Sequence, residues 1–190
     1  NYSAEWHAEA ERRGLANDKT TPAALRHVVT PRARKLFSDY KVLSEAELVS
    51  RQHVRLERYS KTVAIEAAIT LEMSRTGVLP AAGEQIGRYA TAIGALQAAK
   101  GVDGGAANAL VETVNQLGAS VTSLRENIKK LDEVYKTANE VTDVEKQAEA
   151  FCNLVLPQMR KLRTDCDAIE NLVDDGLWPY PKYREMLFQL

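Results

Sequence analysis

Between Val114 and Tyr135 the apolar residues fall at Val114, Leu117, Val121, Leu124, Ile128, Leu131 and Tyr135. These alternating steps of three and four hold one side of an α-helix against a partner helix, where a strand would need alternation at every second residue. A second stripe of the same kind follows at Val144, Ala148, Phe151, Val155, Met159, Leu162, Cys166, Ile169 and Val173, running towards Gly176. Pro157 lies inside it and has no N–H for the carbonyl of Asn153, so a kink is expected there.

Helix boundaries can be read from capping chemistry. Ser44-Glu45-Ala46-Glu47 is a capping box, in which the hydroxyl and the carboxylate satisfy each other's backbone amides, and no Gly or Pro follows until Gly77. A helix of about eight or nine turns is expected from it. Pro80 is then expected to open another helix reaching about Lys100, before Gly101, Gly104 and Gly105 break the chain. Thr142-Asp143-Val144-Glu145 reads as a second capping box. Near the start, Ser3 can cap a short helix that ends at Arg13 and Gly14, while Thr21-Pro22 and Thr30-Pro31 each set a hydroxyl before a proline in the first turn. The fold class expected is all-α: an antiparallel up-down-up-down four-helix bundle with additional short helices at its N-terminal and C-terminal ends. Residues 1–190 would form a single helical domain, with short helices over 1–43, the long-helix bundle over 44–175 and an aromatic docking tail over 176–190.

Twenty-five Lys and Arg stand against 26 Asp and Glu, and a net charge of -1 gives no field to draw nucleic acid or an anionic membrane, so neither is an expected partner. No apolar run approaches the roughly 20 residues that span a bilayer, and the charged amino end is unlike a signal peptide, so the chain reads as cytoplasmic. An opening at Asn1 rather than Met reads as a piece of something longer. On one helix, the 14 residues separating Cys152 from Cys166 place them about 21 Å apart along the axis. A disulfide needs Cα atoms within roughly 7 Å, so two reduced thiols are expected.

The inventory for chemistry is sparse. Gly101-Val102-Asp103-Gly104-Gly105 lacks the lysine of a phosphate loop and reads as a turn between helices. His7, His27 and His53 belong to no Glu-x-x-His or His-Glu-x-x-His metal motif, and no close Cys and His pair signals a nucleophile with its base. Arg51, His53, Arg55, Arg58 and Lys61, interleaved with Glu57 and Tyr59, read as a solvated helix face. Glu66 and Glu72 sit among Val63, Ala64, Ile65, Ala67, Ala68, Ile69 and Leu71, and a carboxylate buried there would need a salt bridge. Catalytic, cofactor-binding and metal residues are therefore expected to number none. The tail is different: its density of aromatic and apolar side chains must dock on its own bundle, the preferred reading, or on another subunit. Trp178, Tyr180, Tyr183, Leu187 and Phe188 are the candidate docking or interface residues.

That tail, Leu177-Trp178-Pro179-Tyr180-Pro181-Lys182-Tyr183-Arg184-Glu185-Met186-Leu187-Phe188, resembles the Trp-Pro-x-Pro-x-Tyr-x-x-Leu-Phe ending of type III glutamine synthetases. Further blocks follow in the family's order from the amino end: Tyr2-Ser3-Ala4-Glu5-Trp6, Ala10-Glu11-Arg12-Arg13-Gly14-Leu15 and Lys19-Thr20-Thr21-Pro22-Ala23-Ala24-Leu25. Leu43 to Arg51, Glu57 to Lys61, Ile65-Glu66-Ala67 and Leu79-Pro80-Ala81 continue them, and residues 97–119 match least. The resemblance implies a non-catalytic C-terminal structural and assembly domain, with residues 1–43 linking to a catalytic core. Its partners would be that core and neighbouring subunits of a homo-oligomer. The parent would make glutamine from glutamate, ammonia and ATP through a γ-glutamyl phosphate, with Mg2+ or Mn2+ on the phosphates, and would assemble from hexameric rings. ATP and metal would bind the upstream core, and no catalytic residue carries over to this chain. Two competing readings are a stand-alone helical interaction or signalling bundle, motivated by the heptads from Val114, and a regulatory domain sensing a metabolite between its helices.

Overall fold

The computed structural model describes residues 3–101 and 104–188, apart from the side chains of Tyr183 and Arg184. It is helical, with no strand among the described residues. The elements are α1 (Ala4–Arg12), α2 (Thr21–Arg26), a 3-10 turn (His27–Val29), α3 (Pro31–Asp39), α4 (Glu45–Met73) and a π-helical turn (Ser74–Val78). Then come α5 (Leu79–Ala98), α6 (Gly104–Glu140), α7 (Val144–Ala150), a second π turn (Phe151–Val155), α8 (Leu156–Glu170) and α9 (Tyr183–Leu187). The chain divides into two compact units, one of residues 1–62 and 141–152, the other of 63–140 and 153–190.

In the first unit the caps follow the sequence closely. Ser3 accepts from the Trp6 amide at 3.4 Å, Gly14 ends α1's exit with a left-handed φ of 68°, and Thr30 accepts from the Ala33 amide at 3.3 Å. The Ser44–Glu47 box closes in both directions, the Ser44 amide donating to Glu47 at 2.7 Å and the Glu47 amide to Ser44 at 3.3 Å. The bonds made to the ionised carboxylate hold the Glu47 pKa below its usual value. Two starts are displaced by one residue. Thr20, not Thr21, precedes α2, and Asp143, not Thr142, caps α7 by accepting from the Lys146 amide at 2.9 Å. At α7 a charged acceptor at the positive end of a helix outcompetes the neighbouring hydroxyl. The core here includes a cluster of Leu25, Leu56 and Ala148, packed by Val28, Tyr59 and Val144. Buried Gln52 ties its elements together, donating to the Leu25 carbonyl at 3.4 Å and to Glu145 at 2.9 Å.

In the second unit α6 carries the expected ridge. Leu117, Leu124, Leu131 and Ala138, seven residues apart, have no exposed surface, while Val114, Val121 and Tyr135 are half-buried beside them. α6 packs against both α5 and α8. Against α8 the pairing is antiparallel and polar at its centre. Ser123 and Asn127 donate to the two oxygens of Asp165 at 2.9 and 2.7 Å, and Gln158 donates to the Asn127 side-chain oxygen at 2.8 Å. Ser74 meets Cys166 at 3.8 Å and Gln85 accepts from the Asp174 amide at 3.0 Å, so the α4–α5 rod runs parallel to α8.

The break expected at Gly77 is absent. The chain stays helical from Glu45 to Ala98, passing through the π turn, in which the Leu79 amide donates to the Ser74 carbonyl five residues back. A break at Gly77 would make four long helices; in the second unit three rods run up, down and up. Proline explains both π turns. Each ends two residues before one, Val78 before Pro80 and Val155 before Pro157. A proline inside a helix lacks a donor and clashes with the carbonyl four residues back, and a wider turn there lets the helix continue.

The first π turn also receives the tail. The Tyr180 hydroxyl donates to the Met73 carbonyl at 2.9 Å, and a Cβ on Gly77 would stand 2.1 Å from that hydroxyl oxygen and 2.6 Å from the ring Cζ. Only glycine leaves room for the ring. Burial pushes the Tyr180 pKa above its usual value of 10.0, so the hydroxyl remains a donor at neutral pH.

Three outcomes are expected. Leu124→Ala, opening a cavity under the α6 ridge, destabilises the chain by about 2–5 kcal/mol in urea titration. Gly77→Ala displaces the Tyr180 ring, so limited proteolysis cuts residues 177–188 faster, while alanine's better helix propensity of about 1 kcal/mol keeps the rod intact by circular dichroism. Because the Tyr180 pKa is raised on folding, its contribution is complete below about pH 10 and fades as pH rises through the folded value. The difference in unfolding midpoint between the wild type and Tyr180→Phe is therefore expected to narrow at alkaline pH.

Candidate docking groove

A groove of about 590 Å³ opens on the second unit. Its walls come from three segments: Met73, Ser74 and Val78 at the end of α4 and in the π turn; Met159, Leu162 and Cys166 on α8; and Trp178, Tyr180 and Met186 of the tail. The lining is mainly apolar, and the chain's three methionines all take part in it. The Trp178 and Tyr180 rings meet edge-on, centroids 6.2 Å apart and planes at 84°, with Tyr180 held by its bond to Met73.

Polar groups at the groove are mostly engaged within the fold. Ser74 donates to the Thr70 carbonyl at 2.7 Å. Burial pushes the Cys166 thiol above its usual 9.0, against the pull of its contact with Ser74, which keeps it protonated and a poor nucleophile at neutral pH. Arg163 pairs with Asp167. Arg160 and Glu170, also on the lining, form no ion pair among the described residues. The arrangement offers apolar surface beside the charged groups of Arg160 and Glu170.

Of the residues expected to dock, the groove brings Trp178 and Tyr180 together. Leu187 and Phe188 remain 74% and 77% exposed, and the side chain of Tyr183 lies outside the described residues. Glu66 and Glu72, read as carboxylates that would need a buried salt bridge, are instead exposed, because α4 turns that side outward. Arg51, His53, Arg55 and Arg58 are exposed as expected, and Lys61 pairs with Glu57 at 3.3 Å. The methionines and Cys166 carry no binding signal of their own in the sequence. A usable signal is present in the stretch from Val63 to Leu71, which is apolar around more of the helix than one partner can cover. Among the described residues no helix is long and apolar enough to cross a membrane.

Comparison with known proteins gives this geometry its context. The family model described as "Glutamine synthetase C-terminal domain" matches residues 1–97. The chain is 34% identical over 191 residues to the "Type-3 glutamine synthetase" of Dictyostelium discoideum, covering 98% of this chain and 26% of that protein. It is 29% identical to a "Glutamine synthetase" of Bacteroides fragilis (strain YCH46), again over 98% of this chain and 26% of that protein. With a "Glutamine synthetase" of Butyrivibrio fibrisolvens the identity is 30%, over 100% of this chain and 27% of that protein. The chain thus spans about a quarter of the length of the relatives it matches. With the family model covering just over half of its residues, the chain belongs to the glutamine synthetase C-terminal domain family, that of a type III enzyme.

Proposed function

We propose that this chain is the non-catalytic structural and assembly module of a type III glutamine synthetase, whose parent makes glutamine from glutamate, ammonia and ATP, releasing ADP and phosphate. The observation that carries the reading is the pairing of an almost complete match to about a quarter of each relative with a groove whose lining is mainly apolar. Its partners in this reading are the catalytic portion of the polypeptide and neighbouring subunits of a homo-oligomer. The reading also sets it in the cytoplasm, in keeping with two free cysteines.

The Mg2+ or Mn2+ that accompanies ATP in such a parent needs a converging set of oxygen donors. The described residues contain no group of three or more His, Cys, Asp or Glu side chains placed for a metal ion. The described residues do not offer such a set, so no step of the ligase chemistry is assigned to them. What it supplies is rigid surface: long helices whose buried ridges fix the groove walls before any partner arrives.

The test compares the full-length synthetase with a version truncated before Asn1, measuring ATP-dependent glutamine formation and particle size. Truncation is expected to lower activity or reduce the assembly to smaller particles, with the separated chain inactive in the same assay. Unchanged activity and size after truncation, or glutamine synthesis by the chain alone, would overturn the reading.

A further inference from the structure

We infer that the groove, together with an exposed apolar stripe on α4, is the face on which this domain seats the catalytic portion of its own polypeptide. The inference rests on the module reading above and adds to it a particular surface.

An amphipathic helix ordinarily buries one stripe and wets the rest. In the second unit α4 buries Val63, Ala67 and Leu71, yet it carries a second apolar row at Ile65, Ile69 and Met73, which are 60%, 49% and 39% exposed. Spacing of four residues sets these three side chains one above another on one helix face. Met73 belongs both to this row and to the groove wall, so the row leads into the groove. On the tail, Met186 lines the groove and is 51% exposed, and the exposed Leu187 and Phe188 follow it directly. Apolar surface gathered in this way is what a monomer avoids and an interface uses. Methionine, flexible and polarizable, suits a contact whose partner surface is irregular.

Size and charge identify the occupant. Relatives carry roughly three-quarters of their length beyond the part this chain matches. A segment tethered on the same polypeptide meets the groove at an effective concentration of about millimolar order, ahead of any separate chain. Arg160 and Glu170 stand on the groove lining without an ion pair among the described residues, about 15 Å apart along α8. The seated surface is therefore expected to be apolar, with an acidic group opposite Arg160 and a basic one opposite Glu170. Such charges set register more than affinity.

The experiment installs a photo-crosslinking phenylalanine derivative in place of Ile69 in the full-length synthetase and maps the products by denaturing electrophoresis and mass spectrometry. Expected is a cross-link within one chain, from position 69 to a residue upstream of Asn1, which is lost when Arg160→Glu and Met159→Glu are introduced together. A product joining two chains, or no product at that position, overturns the inference. A companion variant, Ile65→Glu, changes an exposed residue and so spares the core. It should increase peroxide oxidation of Met73, Met159 and Met186 severalfold in the full-length protein with the melting temperature unchanged; unchanged oxidation counts against the face. The truncation assay separates the two ideas. If truncation impairs the enzyme while position 69 gives no cross-link, the module reading stands and this surface is not its contact.

Discussion

Burial of the α6 ridge is the constraint on which the second unit depends. Leu117, Leu124, Leu131 and Ala138 are completely enclosed, and two further rods pack on the helix that carries them. Most of a helix's stability in a folded protein comes from packing rather than propensity, and α6 has one side removed from water along most of its length. The partners must then be long and continuous as well, and both contain a proline. The π turns reconcile these demands, letting each rod pass its proline as a continuous helix where a break would have shortened it.

Much of this is legible in the sequence because it depends on local rules. The period of the α6 stripe, the Ser44–Glu47 box and the glycine after α1 are each determined by a few neighbouring residues, and the structure shows them where they are expected. The continuity through Gly77 is hidden for a physical reason. Gly77, with Pro80 three residues on, carries the ordinary signal of a helix end, and only the arrival of Tyr180 more than a hundred residues later explains why glycine stands there. The two caps displaced by one residue, at Thr20 and Asp143, lie within the ordinary ambiguity of adjacent polar residues.

The candidate site divides in the same way. Trp178 and Tyr180 stand out because aromatic side chains near a terminus need an explanation, and they do line the groove. Met73 and Met159 give no such signal, since a methionine on an amphipathic stripe reads as core filler. Their common location is a matter of three segments converging, from α4, α8 and the tail. The exposed face of α4 is visible as an excess of apolar residues, but its outward direction depends on where α6 and α8 lie.

The polar cluster between α6 and α8 has a consequence for uniqueness. A ridge that repeats every seven residues is degenerate under translation: sliding α6 by one heptad, about 10.5 Å, would again bring apolar residues to apolar partners. Asn127 is the residue that bonds both Asp165 and Gln158, donating through its amide nitrogen and accepting through its amide oxygen. Displaced one heptad, its place would be taken by Val134, which has no hydrogen-bonding side chain, or by Ser120. A serine carries a single oxygen on a shorter stem, which cannot span two partners as the forked amide does, so the carboxylate and amide of α8 would be left short of partners. The leucines make the helices associate; Asn127 lifts the degeneracy and selects one alignment among several that hydrophobic burial alone would accept.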